Sequence, residues 1–291
     1  MTKTFRFGVV SAGAPSKSTW ISLVKRIEEL GYSSLLIPDR TITPMATIPA
    51  LTMAAAVTTT LRIGSYVFAN DYRHPALLAR EIATLDQLSD GRVEFGLGAG
   101  VGAADFQQLG IPFDSPGTRV ARFEEGLAII KQYFTAETVN FAGKYYTVTD
   151  MPGVPRTIQK PHPPILVGSA GRRMLTIAGR EANIIIPAAR WNDPTDDSIE
   201  QKIGWLQDAA GERFNDLELG QSAFGIELTD SVPMPATKLR GGPPVQSRPM
   251  TTEQAIDYLL KQREQLGFSY IQMQESQIEN LAPVVTRLAG K

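Results

Sequence analysis

The chain has no cysteine, which excludes disulfides, thiolate metal sites and a cysteine nucleophile together. It has only two histidines, His74 and His162, each followed by proline in a loop-like segment, so a His-rich metal centre cannot be assembled either. An excess of one charge is missing too. The 29 basic and 30 acidic residues nearly cancel, and no basic run or Lys/Arg-rich helix is present, so no nucleic-acid partner is expected. Long apolar runs are lacking: the stretch from Leu51 to Ala69 is broken by four threonines and Arg62, so no membrane span is expected. The opening MTKTFRFGVVSAGAP carries too short an apolar segment for a signal peptide and overlaps a strand pattern, which makes a cytoplasmic location the expectation.

What is present is an alternation of strands and helices. Leu61 to Phe68 (LRIGSYVF) and Arg92 to Leu97 (RVEFGL) are apolar, β-branched and aromatic, the pattern of strands buried on both faces. Between them Pro75 suits a first helical turn, Leu77, Leu78, Ile82, Leu85 and Leu88 recur at helical spacing, and Asp90-Gly91 stops the helix. A crossover helix makes the two strands parallel, so their carboxyl ends open on one side. Ligands of parallel sheets bind on that side.

The alternation continues along the chain. Phe5 to Ser11 reads as the first strand, the stripe Trp20, Ile21, Val24, Ile27, Leu30 as a helix ended by Gly31, and Ser34 to Ile37 as the second strand. Ile48 to Thr59 and Arg119 to Phe134 are expected helices. Thr138 to Phe141 and Tyr145 to Val148 suggest a small hairpin inserted at the barrel mouth. Strands at 164–168, 183–186, 217–228 and 268–273 alternate with helices at 172–180, 199–210, 252–266 and 278–288. No repeat or linker divides the chain, so 1–291 reads as a single α/β domain.

Three blocks carry a resemblance: NDYRHPALLAREIATLDQLSDGRVEFGLGAG, GIPFDSPGTRVARFEEGLAIIKQYFTAETVNFAGKYYTV and QKPHPPILVGSAGRRMLTIAGREANIII. In this order and spacing they resemble the luciferase-like flavin monooxygenase superfamily, most closely the branch that uses the deazaflavin coenzyme F420. The resemblance implies a (β/α)8 TIM barrel with mouth insertions, a flavin-type ring at its C-terminal mouth, a small-molecule substrate and a homodimer. With F420 the reaction is a hydride transfer. With FMN as the alternative cofactor, reduced FMN and O2 make a monooxygenase, and a non-catalytic flavin-binding barrel is a third reading. A barrel aldolase or isomerase would need a strand-end lysine or carboxylate base, and Glu227 alone is available.

Four places carry candidate chemistry. In GSAGRR, a strand runs into a helix, where small residues and the helix dipole suit an anion. By resemblance Gly168, Ser169, Ala170 and Gly171 hold the cofactor phosphate, and the alternative is a tight turn with two solvated arginines. In GSYVFA, related barrels place a non-proline cis peptide as a shelf against the ring, here Tyr66-Val67; the alternative is an ordinary buried strand. At Pro38-Asp39-Arg40, deazaflavin users commonly carry Asp-His, with the histidine over the reactive ring. Arg40 keeps its proton, so it can neutralise or orient negative charge, near the ring or on a substrate carboxylate, but cannot cycle a proton. Asp39 is expected to bond the ring or to pair with Arg40. Finally, in GAGVGAADF the glycines Gly98 and Gly100 allow a backbone flat against the cofactor or its tail near Ala99 and Gly100. Tyr66, Phe68, Tyr72, Phe106, Phe113 and Trp191 suggest an apolar pocket, although core packing explains several of them equally well; Arg73 and His74 flank it.

Overall fold

The computed structural model describes residues 3–189, 195–234 and 246–291. Among them eight strands run parallel to their neighbours: β1 (Arg6–Val10), β2 (Ser34–Ile37), β3 (Arg62–Ser65), β4 (Val93–Gly98), β5 (Ile165–Ser169), β6 (Ile184–Pro187), β7 (Glu218–Ser222) and β8 (Phe268–Gln274). The spatial order β3-β2-β1-β8-β7-β6-β5-β4 closes on itself through Ile63 opposite Val93 and Gly64 opposite Glu94, giving a (β/α)8 barrel. The helices follow in turn: α1 (Lys17–Glu29), α2 (Thr47–Val57), α3 (Pro75–Leu88), α4 (Ala103–Leu109), α5 (Pro116–Thr135), α6 (Arg172–Glu181), α7 (Ile199–Ala210), α8 (Thr252–Leu266) and α9 (Ala282–Leu288).

The strand residues divide by a period of two. Val10, Leu36, Leu166, Ile184, Ile186 and Tyr270 pack together inside the barrel. Their neighbours Val9, Leu35, Ile37, Ile165, Val167, Ile185 and Ile271 face outward into the helical layer, also buried. Each strand is covered on both sides, which explains its unbroken apolar sequence. Burying one such side chain stabilises the fold by roughly 1.5–3 kcal/mol.

The helix stripe in α3 needs narrowing. Leu78, Ile82 and Leu85 are buried, but Leu77 and Leu88 are 55% and 61% exposed. Positions spaced four and three apart share a face, and 77 and 88 both fall to one side of it. The hairpin Thr138–Ala142 with Thr147–Pro152 is antiparallel as expected. It starts at the end of α5 and runs alongside that helix, where Glu125 accepts from the backbone N–H groups of Lys144 (2.8 Å) and Tyr145 (2.9 Å). Only its turn reaches mouth level, where the Tyr146 hydroxyl accepts from Asn70 Nδ2 at 3.0 Å. The segment read as one strand over 217–228 is two: β7, then Ile226–Leu228, which pairs in parallel with Arg248–Met250. The helix α4 is unforeseen by periodicity; it is seven residues long and only Asp105 and Phe106 are buried.

Candidate active site

At the end of β5 the chain turns through Gly168, Ser169, Ala170 and Gly171 into α6, and Ser169 Oγ accepts from the Gly171 N–H at 3.2 Å. Helices α1, α5, α7 and α8 are capped by the side chains of Ser16, Ser115, Ser198 and Thr251, whereas α6, like α2, α4 and α9, has no side-chain cap. Its leading N–H groups therefore remain available to an acceptor. No atom lies within 4 Å of where a Cβ would stand at Gly168 or Gly171. The two arginines turn elsewhere. Arg173 donates to the Gly117 carbonyl (3.2 Å) and pairs with Glu124 (3.5 Å), and Arg172 lies 5.5 Å from the Trp205 ring. Backbone N–H groups at a positive dipole end, set against small residues, form the donor set that suits a phosphate.

The second region is the shelf. Strand β3 stops at Ser65, the Tyr66–Val67 peptide is cis, and pairing with β4 resumes at Phe68 and Ala69. Ser65 Oγ donates to the Gly96 carbonyl (2.7 Å) and accepts from the Phe68 N–H (3.0 Å), so the interruption is hydrogen-bonded on both sides. The glycines of β4 are explained by this neighbour. A Cβ at Gly96 would lie 2.0 Å from the Ser65 carbonyl oxygen, and one at Gly98 would lie 2.7 Å from Val67 Cγ2. Gly98 thus makes room for Val67. Gly100 has φ +81° with Phe106 behind it, and its carbonyl accepts from Arg119 Nη1 at 2.6 Å. Ala99, just before it, packs half-buried against the core. Across the mouth, the Tyr66 hydroxyl meets Ser222 Oγ at 3.2 Å, and burial pushes its phenol pKa up.

The charged residues pair differently from expectation. Asp39 is held by both nitrogens of Arg73, at 2.7 and 3.1 Å, with Ala69 N–H and Thr47 Oγ1 also donating to it. Arg40 pairs with Asp105 through Nε instead. Asp105 accepts further bonds from the Thr41 N–H (3.2 Å) and hydroxyl. Burial pushes the Asp105 carboxyl up, but the bonds from Thr41 and Arg40 outweigh it and hold the pKa below the usual range. Burial pushes Arg73 down and its bonds to Asp39 more than restore it, leaving its pKa raised. Asp105 was missed because its contacts are made 65 and 64 residues away, with Arg40 and Thr41.

A cleft of about 340 Å³ lies to one side, between the segment after β3, α5 and the hairpin turn, bordered by Asp71, Tyr72, Arg73, His74, Ile111, Arg122 and Tyr146. Tyr72 stacks edge-on against Phe106 (5.2 Å), which meets Phe113 (4.9 Å), with Arg119 over Phe113 at 4.0 Å. Phe68 and Phe106 are fully buried, so they pack the wall and do not line the opening. The Tyr72 hydroxyl is buried without a partner among the described residues. Burial, then the charges of Asp105 and Asp39, push its pKa up to about 12. His74 is structural: its Nδ1 caps α3 by accepting from Ala76 N–H at 3.3 Å. His162 is held by the Pro163 carbonyl and its pKa is lowered by burial. Trp191 lies outside the described residues.

A closed parallel barrel, with an uncapped helix end on the same rim as an interrupted third strand, is the architecture whose C-terminal mouth generally carries the ligand site. The family profile described as luciferase-like monooxygenase matches residues 1–226, and the chain belongs to that family. It is 28% identical over 233 residues to the 5,10-methylenetetrahydromethanopterin reductase of Methanopyrus kandleri, covering 75% of this chain and 65% of that protein. It is 32% identical over 167 residues to an F420-dependent glucose-6-phosphate dehydrogenase of Beutenbergia cavernae, covering 53% and 47%. An FMNH2-dependent dimethylsulfone monooxygenase of Pseudomonas putida is 27% identical over 152 residues, covering 52% and 41%. The chain thus spans about two thirds or less of the length of these curated relatives. The crystallised F420-dependent tetrahydromethanopterin reductase of M. kandleri shares the fold with a TM-score of 0.79 at 22% identity, covering 98% of this chain and 100% of that one. A long-chain alkane monooxygenase superposes with a TM-score of 0.79 at 13% identity, covering 99% and 92%.

Proposed function

We propose that this barrel is an oxidoreductase that holds coenzyme F420 at its mouth and passes a hydride between it and a small organic substrate. The observation that carries the reading is the uncapped α6 end, with Gly168, Ser169, Ala170 and Gly171 beneath it, on the same rim as the shelf at Tyr66–Val67. When bound, the deazaflavin supplies two-electron chemistry that no side chain of this chain can supply. The protein's part is binding and electrostatics. The backbone N–H groups of α6 hold the phosphate, Tyr66 and Val67 back the ring, and Ala99 and Gly100 flank it. The Asp39–Arg73 pair fixes the loop after β2. The Arg40 guanidinium balances negative charge. Tyr72 is protonated at neutral pH, and its unpartnered O–H is the donor within electrostatic reach of Arg40.

A second reading, an FMN-dependent monooxygenase, is kept for one observation: the position after Asp39 carries Arg40 where deazaflavin users commonly carry histidine. Relatives of both cofactor types support keeping the two side by side. The family reading also carries a single domain, a homodimer and a cytoplasmic location. Titration of the purified chain with F420 and with FMN, followed by quenching of each fluorophore, separates the readings. A saturable curve with F420 alone is expected. Saturation by FMN alone moves the assignment to the monooxygenase, and saturation by neither removes both.

A further inference from the structure

We infer that Arg40 is the anchor for a carboxylate-bearing substrate, with Asp105 as the positioning residue that aims it. Arg40 follows β2 and Asp105 lies on α4 after β4, so their ion pair spans the loops on both sides of β3, the strand that carries Tyr66–Val67. Only Nε is spent on this pair: among the described residues neither Nη atom of Arg40 has a hydrogen bond. The backbone gives the guanidinium room. Gly102 has φ +83°, and a Cβ there would lie 3.2 Å from Arg40 Nη2. The Arg40 side chain is 26% exposed, while that of Asp105 is 1% exposed and tied by Thr41 as well, so the carboxylate cannot follow the arginine elsewhere. The tether holds one edge of a planar fork and leaves the other edge unspent, the arrangement that receives a carboxylate with two parallel bonds.

The nearest cations are more committed. Arg73 grips Asp39 with two bonds and Arg122 is shared by Asp71 and Asp114. Arg119 gives Nη1 to the Gly100 carbonyl and lies over the Phe113 face, and its Nε, although without a partner among the described residues, is buried away from solvent. Asp105 already offsets part of the Arg40 charge, and Asp39 adds a second carboxylate nearby. A singly charged carboxylate therefore suits this place better than a phosphate dianion, which the α6 end serves.

This inference rests on the oxidoreductase reading only for turnover. Its test is calorimetric binding of lactate and 3-hydroxybutyrate, each against its neutral amide, to the full chain alone and after loading with F420 or FMN. The acids are expected to bind about tenfold to a hundredfold more tightly than the amides, with the difference shrinking in salt. Arg40→Met should erase that preference and Arg40→Lys should keep part of it. The double variant Arg40→Met/Asp105→Asn should behave like Arg40→Met, which excludes a folding defect from a stranded carboxylate. Asp105→Ala separates aim from charge. Removing a negative group should by simple electrostatics tighten acid binding, whereas loss of aim weakens it. Amides binding as well as acids, or an unchanged preference in Arg40→Met, overturns the anchor, and tighter acid binding by Asp105→Ala overturns the positioning role. Failure of both cofactors to bind removes the proposed function but leaves the acid-amide comparison on the unloaded chain to decide this inference.

Discussion

The two ends of the barrel are both charged, yet they use charge in opposite ways. At the base, Glu94 is fully buried and every partner is spoken for. Arg6 (2.5 Å) and Arg62 (2.8 Å) share its Oε1, and the Tyr270 hydroxyl donates to Oε2 at 2.9 Å. Arg6 also grips Glu218 with two bonds, at 2.9 and 2.6 Å. At the mouth, by contrast, Arg40 keeps its outer edge unspent, Tyr72 has an unpartnered hydroxyl and α6 has an uncapped end. A saturated network stabilises, because any missing member leaves a buried charge uncompensated. An unsaturated one retains bonds to give to a ligand. The contrast marks one end as scaffold and the other as site.

The largest effect should come from breaking the base. Glu94→Ala leaves Arg6 and Arg62 facing each other without their shared carboxylate, and should cost about 3–5 kcal/mol in urea unfolding. Its pH dependence has a definite sign. Burial raises the Glu94 pKa, but the two arginines and Tyr270 outweigh it and leave it below its ordinary 4.5. The stability it contributes is therefore present above that ordinary value and is lost as pH falls through the lower folded one. An acid limb equally steep in wild type and variant would show that the base is not a saturated network.

At the mouth, Gly171→Glu places a carboxylate against the N–H groups of α6. Cofactor affinity should drop about tenfold to a hundredfold in the fluorescence titration, while the thermal midpoint stays near that of wild type because no protein atom is displaced. Unfolding instead of weakened binding would make this turn scaffold and blur the contrast. The smallest effect belongs to Glu28, also at the base. One of its oxygens accepts from the backbone N–H groups of Thr59, Thr60 and Leu61 at 2.9, 2.7 and 3.0 Å. Burial opposes, but these bonds and that from the Thr60 hydroxyl bring its pKa down to about 2. Because the group is only half-buried and stays screened by solvent, Glu28→Gln should cost only about 1 kcal/mol at neutral pH. The difference should vanish between about pH 4.5 and 2, as the wild-type carboxylate protonates in turn.

Much of the architecture was legible because its signals are local. Doubly buried strands such as ILVG and the helix stripe Leu78, Ile82, Leu85 mark the elements, and their alternation dictates parallel strands with all carboxyl ends on one side. The turn at Gly168–Gly171 was legible for the same reason, since its glycines adjoin a strand and open a helix. The short helix α4 was not, because it is only seven residues long and too short to show a periodic stripe; Asp105 and Phe106 are held by residues distant in sequence. The glycines of β4 were legible as unusual but not as partners of Ser65 and Val67, which only the closed barrel brings against them. What the sequence determined by itself is the order of elements and the end at which the strand carboxyl ends gather, because periodicity and capping act within a dozen residues. Tertiary structure decided which charge meets which: Asp39 with Arg73 and Arg40 with Asp105. Neighbours in the chain lost to partners 34 and 65 residues away, because barrel closure stacks the loops of successive strands side by side.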